Sequence, residues 1–326
     1  MREKIFKNGW FLFFLALFLV FLYPLLTLRQ GFLGGDYGWQ FYPWTQLYAE
    51  ALKSGRGPVL WTPLIQSGFP LFAEGQTGML YSLNLLFFRL LPFKIAYNGL
   101  FLSHFLMGGI FSYLFGRKRG MSPAAAALTA LCFTFGSAYA GCFYNIVTMR
   151  TLVWFPLALY FVEVYLGDRK LWALFALSFV QTQSWLGGFA QTAAYSFLFI
   201  FLYYALRIAG DAALRKRAPL LHLKLAGSLG LSVLTALPQL WATLELAFHS
   251  SRILQEKTFI LWGSAQPWSP VTLFLYPWSV FLRSNLYIGV LPFLLILLVR
   301  HRKNLKIWWI LAAISFFFAL GVFNPL

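Results

Sequence analysis

The chain has 326 residues, of which 60% are hydrophobic and only 11% charged, against roughly 25% charged in soluble domains. That balance excludes a water-soluble fold. The formal net charge of +17 would suggest nucleic acid in a soluble protein. Here the basic residues lie in short clusters between apolar runs and not on one face, which describes membrane topology and excludes nucleic acid as a partner. Cys132 and Cys142 share one apolar segment with no His or acid at ligand spacing, so neither a disulfide nor a metal role follows from them.

A membrane-crossing helix needs roughly 20 mostly apolar residues, because the hydrocarbon core is about 30 Å thick and each helical residue rises about 1.5 Å. Apolar runs of suitable character predict spans near 9–28, 96–116, 123–143, 150–166, 171–187, 189–207, 219–240, 286–300 and 307–323. The basic start MREKIFKNGW resembles a signal sequence, but the run that follows is too long for one and lacks a small-residue cleavage site, so it reads as a retained span. Segment 271–283 is half a span long and holds Pro277, which suits a re-entrant or interfacial piece. The expected fold is therefore all-α: one polytopic transmembrane bundle of about nine spans over residues 1–326.

With the N-terminus cytoplasmic, the clusters at Arg117–Arg119, Arg169–Lys170, Arg215–Arg217 and Arg300–Lys306 fall on one side, and 17 of the 26 Lys and Arg lie inside. The expected location is a cell membrane, crossed many times. The opposite side carries a loop at 29–95, short turns near 144–149 and 188, and a second loop at 245–270. Function is expected there. In the first loop Phe41, Trp44, Tyr48, Ala51 and Leu52 recur at helical spacing after Pro43, with Gln46, Glu50 and Lys53 opposite, predicting a helix lying on the membrane surface. Residues 55–70, rich in Gly and Pro, predict an irregular loop folded over the bundle.

Nine acids exist, and five of them, Asp36, Glu50, Glu74, Glu245 and Glu256, fall on the outer side. Asp36, in GGDYGWQFYP just beyond the first span, suits either of two roles. It could accept a proton or hold a metal ion at the interface, or it could cap a helix or turn. Gln40, four residues on, could bind a hydroxylated ligand or satisfy backbone groups. Arg150 opens a span on the outer side and suits a phosphate or ordinary snorkelling. Arg252, in HSSR, and Arg283 suit an anionic headgroup or a surface acid. His104 lies two turns into a span and reads as a neutral histidine hydrogen-bonded across helices. Phosphate-cradling, dinucleotide-binding and serine-hydrolase motifs are absent from the sequence.

GDYGWQFYP at 35–43, LWTPLIQSGFPLFAEGQTGMLYSLNLLF at 60–87, WFPLALYFVE at 154–163, GGFAQTAAY at 187–195, ALPQLWATLELAFHSSR at 236–252, YIGVLPFLL at 287–295 and LGVFNP at 320–325 resemble, in order, segments of the bacterial YfhO family. That family belongs with the GT-C class of glycosyltransferases that use polyprenyl-phosphate sugars. The chain departs from the pattern at Thr62, where an asparagine is expected, and at Phe189–Ala190, which replace a more polar string before Gln191. The family usually continues with further spans and an extracytoplasmic region, so the resemblance implies that the chain is the N-terminal portion of a longer protein.

The resemblance further implies transfer of a sugar from a polyprenyl-phosphate carrier to a cell-envelope polymer such as a teichoic acid. Asp36 would match the first-loop acid, as catalytic base or ligand of a divalent cation such as Mg or Mn. Gln40, Gln76, Arg150, Gln191 and Arg252 would bind substrate. A lipid or polysaccharide transporter or flippase, or a noncatalytic assembly subunit, are the alternatives that many Pro- and Gly-interrupted spans leave open.

Overall fold

The computed structural model describes residues 9–27, 36–136, 145–251, 264–273, 290–298 and 305–323. Among them the chain is all-helical, with one isolated bridge between Thr62 and Phe69 in place of any strand. Four helices are long and apolar enough to cross a membrane: Phe93–Lys118, Ile146–Asp168, Ala190–Ala209 and Ala218–Phe248. In chain order the helices are α1 (Gly9–Phe21), α2 (Tyr23–Leu26), α3 (Tyr42–Lys53), α4 (Leu71–Glu74), α5 (Ser82–Leu90), α6 (Phe93–Lys118), α7 (Pro123–Phe135), α8 (Ile146–Leu152), α9 (Phe155–Asp168), α10 (Trp172–Leu186), α11 (Ala190–Ala209), α12 (Ala212–Arg215), α13 (Ala218–Phe248), α14 (Val290–Leu298) and α15 (Lys306–Ala319).

Small residues set how closely these helices pack. The tip of the Phe14 ring of α1 abuts Gly109 of α6, where a Cβ would collide with Cζ, and Ala126, Ala127 and Ala130 of α7 are buried against α6. In an apolar medium such close contact replaces the hydrophobic effect as the force between helices. Polar side chains add to it. Along α10, Gln183 accepts from the Ser82 hydroxyl at 2.6 Å, Ser184 donates to the Thr151 carbonyl at 3.1 Å, and Thr182 meets Thr235 of α13 at 2.5 Å.

Two sequence expectations shift. The span expected at 219–240 continues to Phe248, straight through Pro238, so Glu245 is helical and the second loop starts later. Helix α3 starts with Pro43 in its first turn, as the sequence predicts, but its apolar face is covered by the protein itself. Tyr48 packs edge-on to Phe88 of α5 with centroids 6.1 Å apart, and Tyr42 meets Phe93 at 5.0 Å and Tyr97 at 5.2 Å. The loop at 55–70 is ordered as expected: Thr62 and Phe69 exchange backbone hydrogen bonds at 2.9 and 2.8 Å, and Trp44 packs on Phe69.

The bundle thus has two different ends. At the loop end, where α6 begins, sit α3, α4, α5 and the 62–69 hairpin. At the basic end, where α6 stops, Glu163 of α9 is held by Arg119 at 3.1 Å, by Arg207 of α11 through two nitrogens at 2.7 and 3.1 Å, and by the Tyr203 hydroxyl at 2.5 Å. Lys118 and Asp168 pair beside it at 3.2 Å.

Candidate functional site

The most polar part of the loop end is the irregular stretch 75–79. Helix α4 ends at Gly75 in the left-handed region (φ +86), which turns the chain so that the Glu74 carboxylate accepts the Gln76 amide at 2.9 Å. Beyond that turn no helix or sheet takes up the backbone carbonyls, so side chains must. Arg150 donates to the Gln76 carbonyl through Nη2 and to the Thr77 carbonyl through Nη1 at 3.1 Å. Asn84 Nδ2 donates to Thr77 at 2.9 Å and Gly78 at 3.0 Å, and the Tyr48 hydroxyl donates to Met79 at 2.8 Å. Four successive carbonyls are thereby held by three side chains from three helices.

Gly78 makes this possible. It sits at φ +64, and a Cβ there would stand 3.1 Å from the Asn84 amide and 3.2 Å from Arg150. The Gly187–Gly188 turn between α10 and α11 closes the other side. A Cβ at Gly188 (φ +100) would lie 2.8 Å from the Gly75 carbonyl, and one at Gly187 2.8 Å from the Thr151 hydroxyl. From α13, Gln239 donates to the Phe72 carbonyl at 2.8 Å.

The sequence-predicted residues divide sharply. Gln40 donates to the Gln76 side chain at 3.0 Å, and Gln76 is the residue whose carbonyl Arg150 holds, so these three come together from segments far apart in sequence. Arg150 is only 3% exposed, so it does not snorkel, and both terminal nitrogens are committed to backbone. Asp36 is exposed at the start of the π-helical turn Tyr37–Phe41 that leads into α3, and its side chain makes no capping bond to that turn. Gln191 is exposed and turned to Tyr195 at 2.8 Å, beside the glycine turn and not in the cluster. Arg252 and Arg283 lie outside the described residues, as do Cys142 and most of segment 271–283.

His104 follows expectation. Its Nε2 meets the Tyr81 hydroxyl at 2.7 Å, Nδ1 meets the Leu100 carbonyl at 2.5 Å, and Trp154 donates to Tyr81 at 3.0 Å, so the ring is saturated in a structural network. A carbonyl only accepts, which fixes the proton on Nδ1. Burial pushes the Tyr48 and Tyr81 phenols well above their usual range despite the opposing pull of Arg150, so both stay protonated donors.

Three polar atoms in the cluster have no partner among the described residues: Arg150 Nε, Thr77 Oγ1 and Asn84 Oδ1, all buried. Two donors and one acceptor left open in a closed polar cluster suit water or a hydroxylated ligand. Sequence reasoning missed Thr77 and the carbonyl-holding role of Asn84, although Gly75 and Gly78 around Gln-Thr signalled a turn of unusual backbone. Among the described residues no three His, Cys, Asp or Glu side chains gather, at Asp36 or elsewhere. No family model matches the chain, and no curated protein or solved structure matches it either.

Proposed function

We propose that the chain is a membrane glycosyltransferase of the GT-C kind, similar to the YfhO family, that moves a sugar from a polyprenyl-phosphate carrier to a cell-envelope acceptor such as a teichoic acid. In this reading about nine spans cross the membrane, the N-terminus is cytoplasmic, and the loop end faces outward. The observation that carries it is the union of Gln40, Gln76 and Arg150, drawn from three separate segments, in one polar cluster at the mouth of an apolar bundle.

In the proposed step the acceptor O–H gives its proton to Asp36, the oxygen bonds the anomeric carbon, and the carbon–phosphate oxygen bond breaks to release polyprenyl phosphate. The exposure of Asp36, with no capping bond made by its side chain, supports its role as a base, since its oxygens are not taken up by the helix that follows. The Gln40 and Gln76 amides are suited to sugar hydroxyls, and Arg150 acts indirectly by holding the backbone that carries Gln76. No step is routed through a cation.

The test is sugar transfer in membranes at matched expression. Asp36→Asn is expected to lower the rate about a hundredfold or more, the usual contribution of a positioned base. A rate equal to the parent would discard Asp36. Substrate accumulation in sealed vesicles with no covalent product would replace transfer by transport.

A further inference from the structure

A second feature of the loop end lies outside the Arg150 cluster. Between α3 and the 62–69 hairpin runs an open groove of about 500 Å³, lined on the helix side by Trp39, Trp44, Gln46 and Glu50 and on the hairpin side by Leu64 and Ile65. Trp39 is 86% exposed, so its indole face is open to a ligand in the groove. Trp44 is fixed from behind by Phe69, with centroids 5.2 Å apart. Gln46 donates to one oxygen of Glu50 at 3.0 Å, which sets the pair in place and leaves the other carboxylate oxygen and the amide oxygen toward solvent as acceptors.

We propose that this groove is a saccharide-binding cleft. A pyranose ring offers a C–H face and a rim of hydroxyls. The exposed indole matches the first, and the Gln46–Glu50 pair, two helical turns along the same outward face, matches the second. A membrane lipid is the competing occupant and fits worse. An acyl chain in the groove would leave the second Glu50 carboxylate oxygen, the one Gln46 does not hold, facing hydrocarbon, and a lipid phosphate would be repelled by the charge. Binding does not depend on the transfer reaction, so the cleft stands or falls apart from the function proposed above.

The test uses the full chain in nanodiscs of zwitterionic lipid, free of glycoside detergents that would compete. It is probed on a microarray of oligosaccharides built from the common hexoses and N-acetylhexosamines, and the best-retained glycan is titrated by fluorescence anisotropy. Trp39→Ala is expected to weaken binding at least tenfold, Glu50→Gln several-fold, and Trp39→Phe less than threefold, with melting temperatures unchanged because both side chains are exposed. Retention of no glycan by the parent, or equal affinity in Trp39→Ala, would overturn the cleft. Quenching of Trp39 by brominated lipid in a parent that retains no glycan would assign the indole to the bilayer instead.

Discussion

The Glu163 network at the basic end and the Arg150 cluster at the loop end treat their polar groups in opposite ways. At the basic end one carboxylate, Glu163, 7% exposed, is met by two arginines and a tyrosine that tie together α6, α9 and α11, and every oxygen is engaged. At the loop end the buried Arg150 meets, among the described residues, no carboxylate but two backbone carbonyls, and its own Nε, Thr77 Oγ1 and Asn84 Oδ1 stay open there. A network that satisfies all its members stabilises; one that leaves donors and acceptors over has room for something else. The Glu163 network is closed, while the Arg150 cluster has room for water or for the ligand of the function proposed above.

Removing the acid at the basic end should have the largest effect on stability. Glu163→Gln leaves Arg119 and Arg207 facing each other without a counter-charge, and a loss of about 3 kcal/mol is expected from breaking a buried ion network by one partner. It is read as a lower melting temperature of the protein in lipid, and an unchanged value would place the network among surface pairs of little worth. Next comes Gly188→Ala at the loop end. Positive φ and a Cβ 2.8 Å from the Gly75 carbonyl should cost about 2 kcal/mol and loosen the 75–79 stretch.

Arg150→Met should cost somewhat less, about 1–2 kcal/mol, since it strips donors from two carbonyls that nearby water can reach once the loop relaxes. Its mark is local: faster proteolysis within residues 55–80 while the basic end stays intact. Proteolysis equal to the parent would mean that Arg150 does not hold the loop. Smallest is Tyr48→Phe, about 1 kcal/mol for one hydrogen bond to Met79.

The phenols add a pH dependence. Because burial raises the folded values of Tyr48 and Tyr81 above the ordinary value of about 10, their contribution is complete below about pH 10 and is lost as pH rises further, when only the unfolded chain ionises. Melting temperature against pH, in parent and Tyr48→Phe, checks the sign.

The all-helical class and the four long apolar helices are legible in the sequence because apolar length and first-turn prolines are local signals. Pro43 opens α3 and Pro123 opens α7, as such prolines should. The extent of α13 was not legible, since Pro238 and Glu245 both argue for an earlier stop, while in the fold the helix packs along α10 and α4. At the site, Gln40 and Gln76 stand out by residue type and by the family resemblance. The part played by Arg150 does not, because a cation's partner can be a carbonyl anywhere in the chain, and carbonyls have no sequence signature. Thr77 and Asn84 are invisible for the same reason.

Amide hydrogen exchange in nanodiscs, with and without a polyprenyl-phosphate sugar, compares the two ends in one experiment. Slower exchange at residues 36–41 and 75–79 with no change at 160–169 is the expected result. Protection confined to the basic end, or none at either, would contradict the assignment of chemistry to the Arg150 cluster.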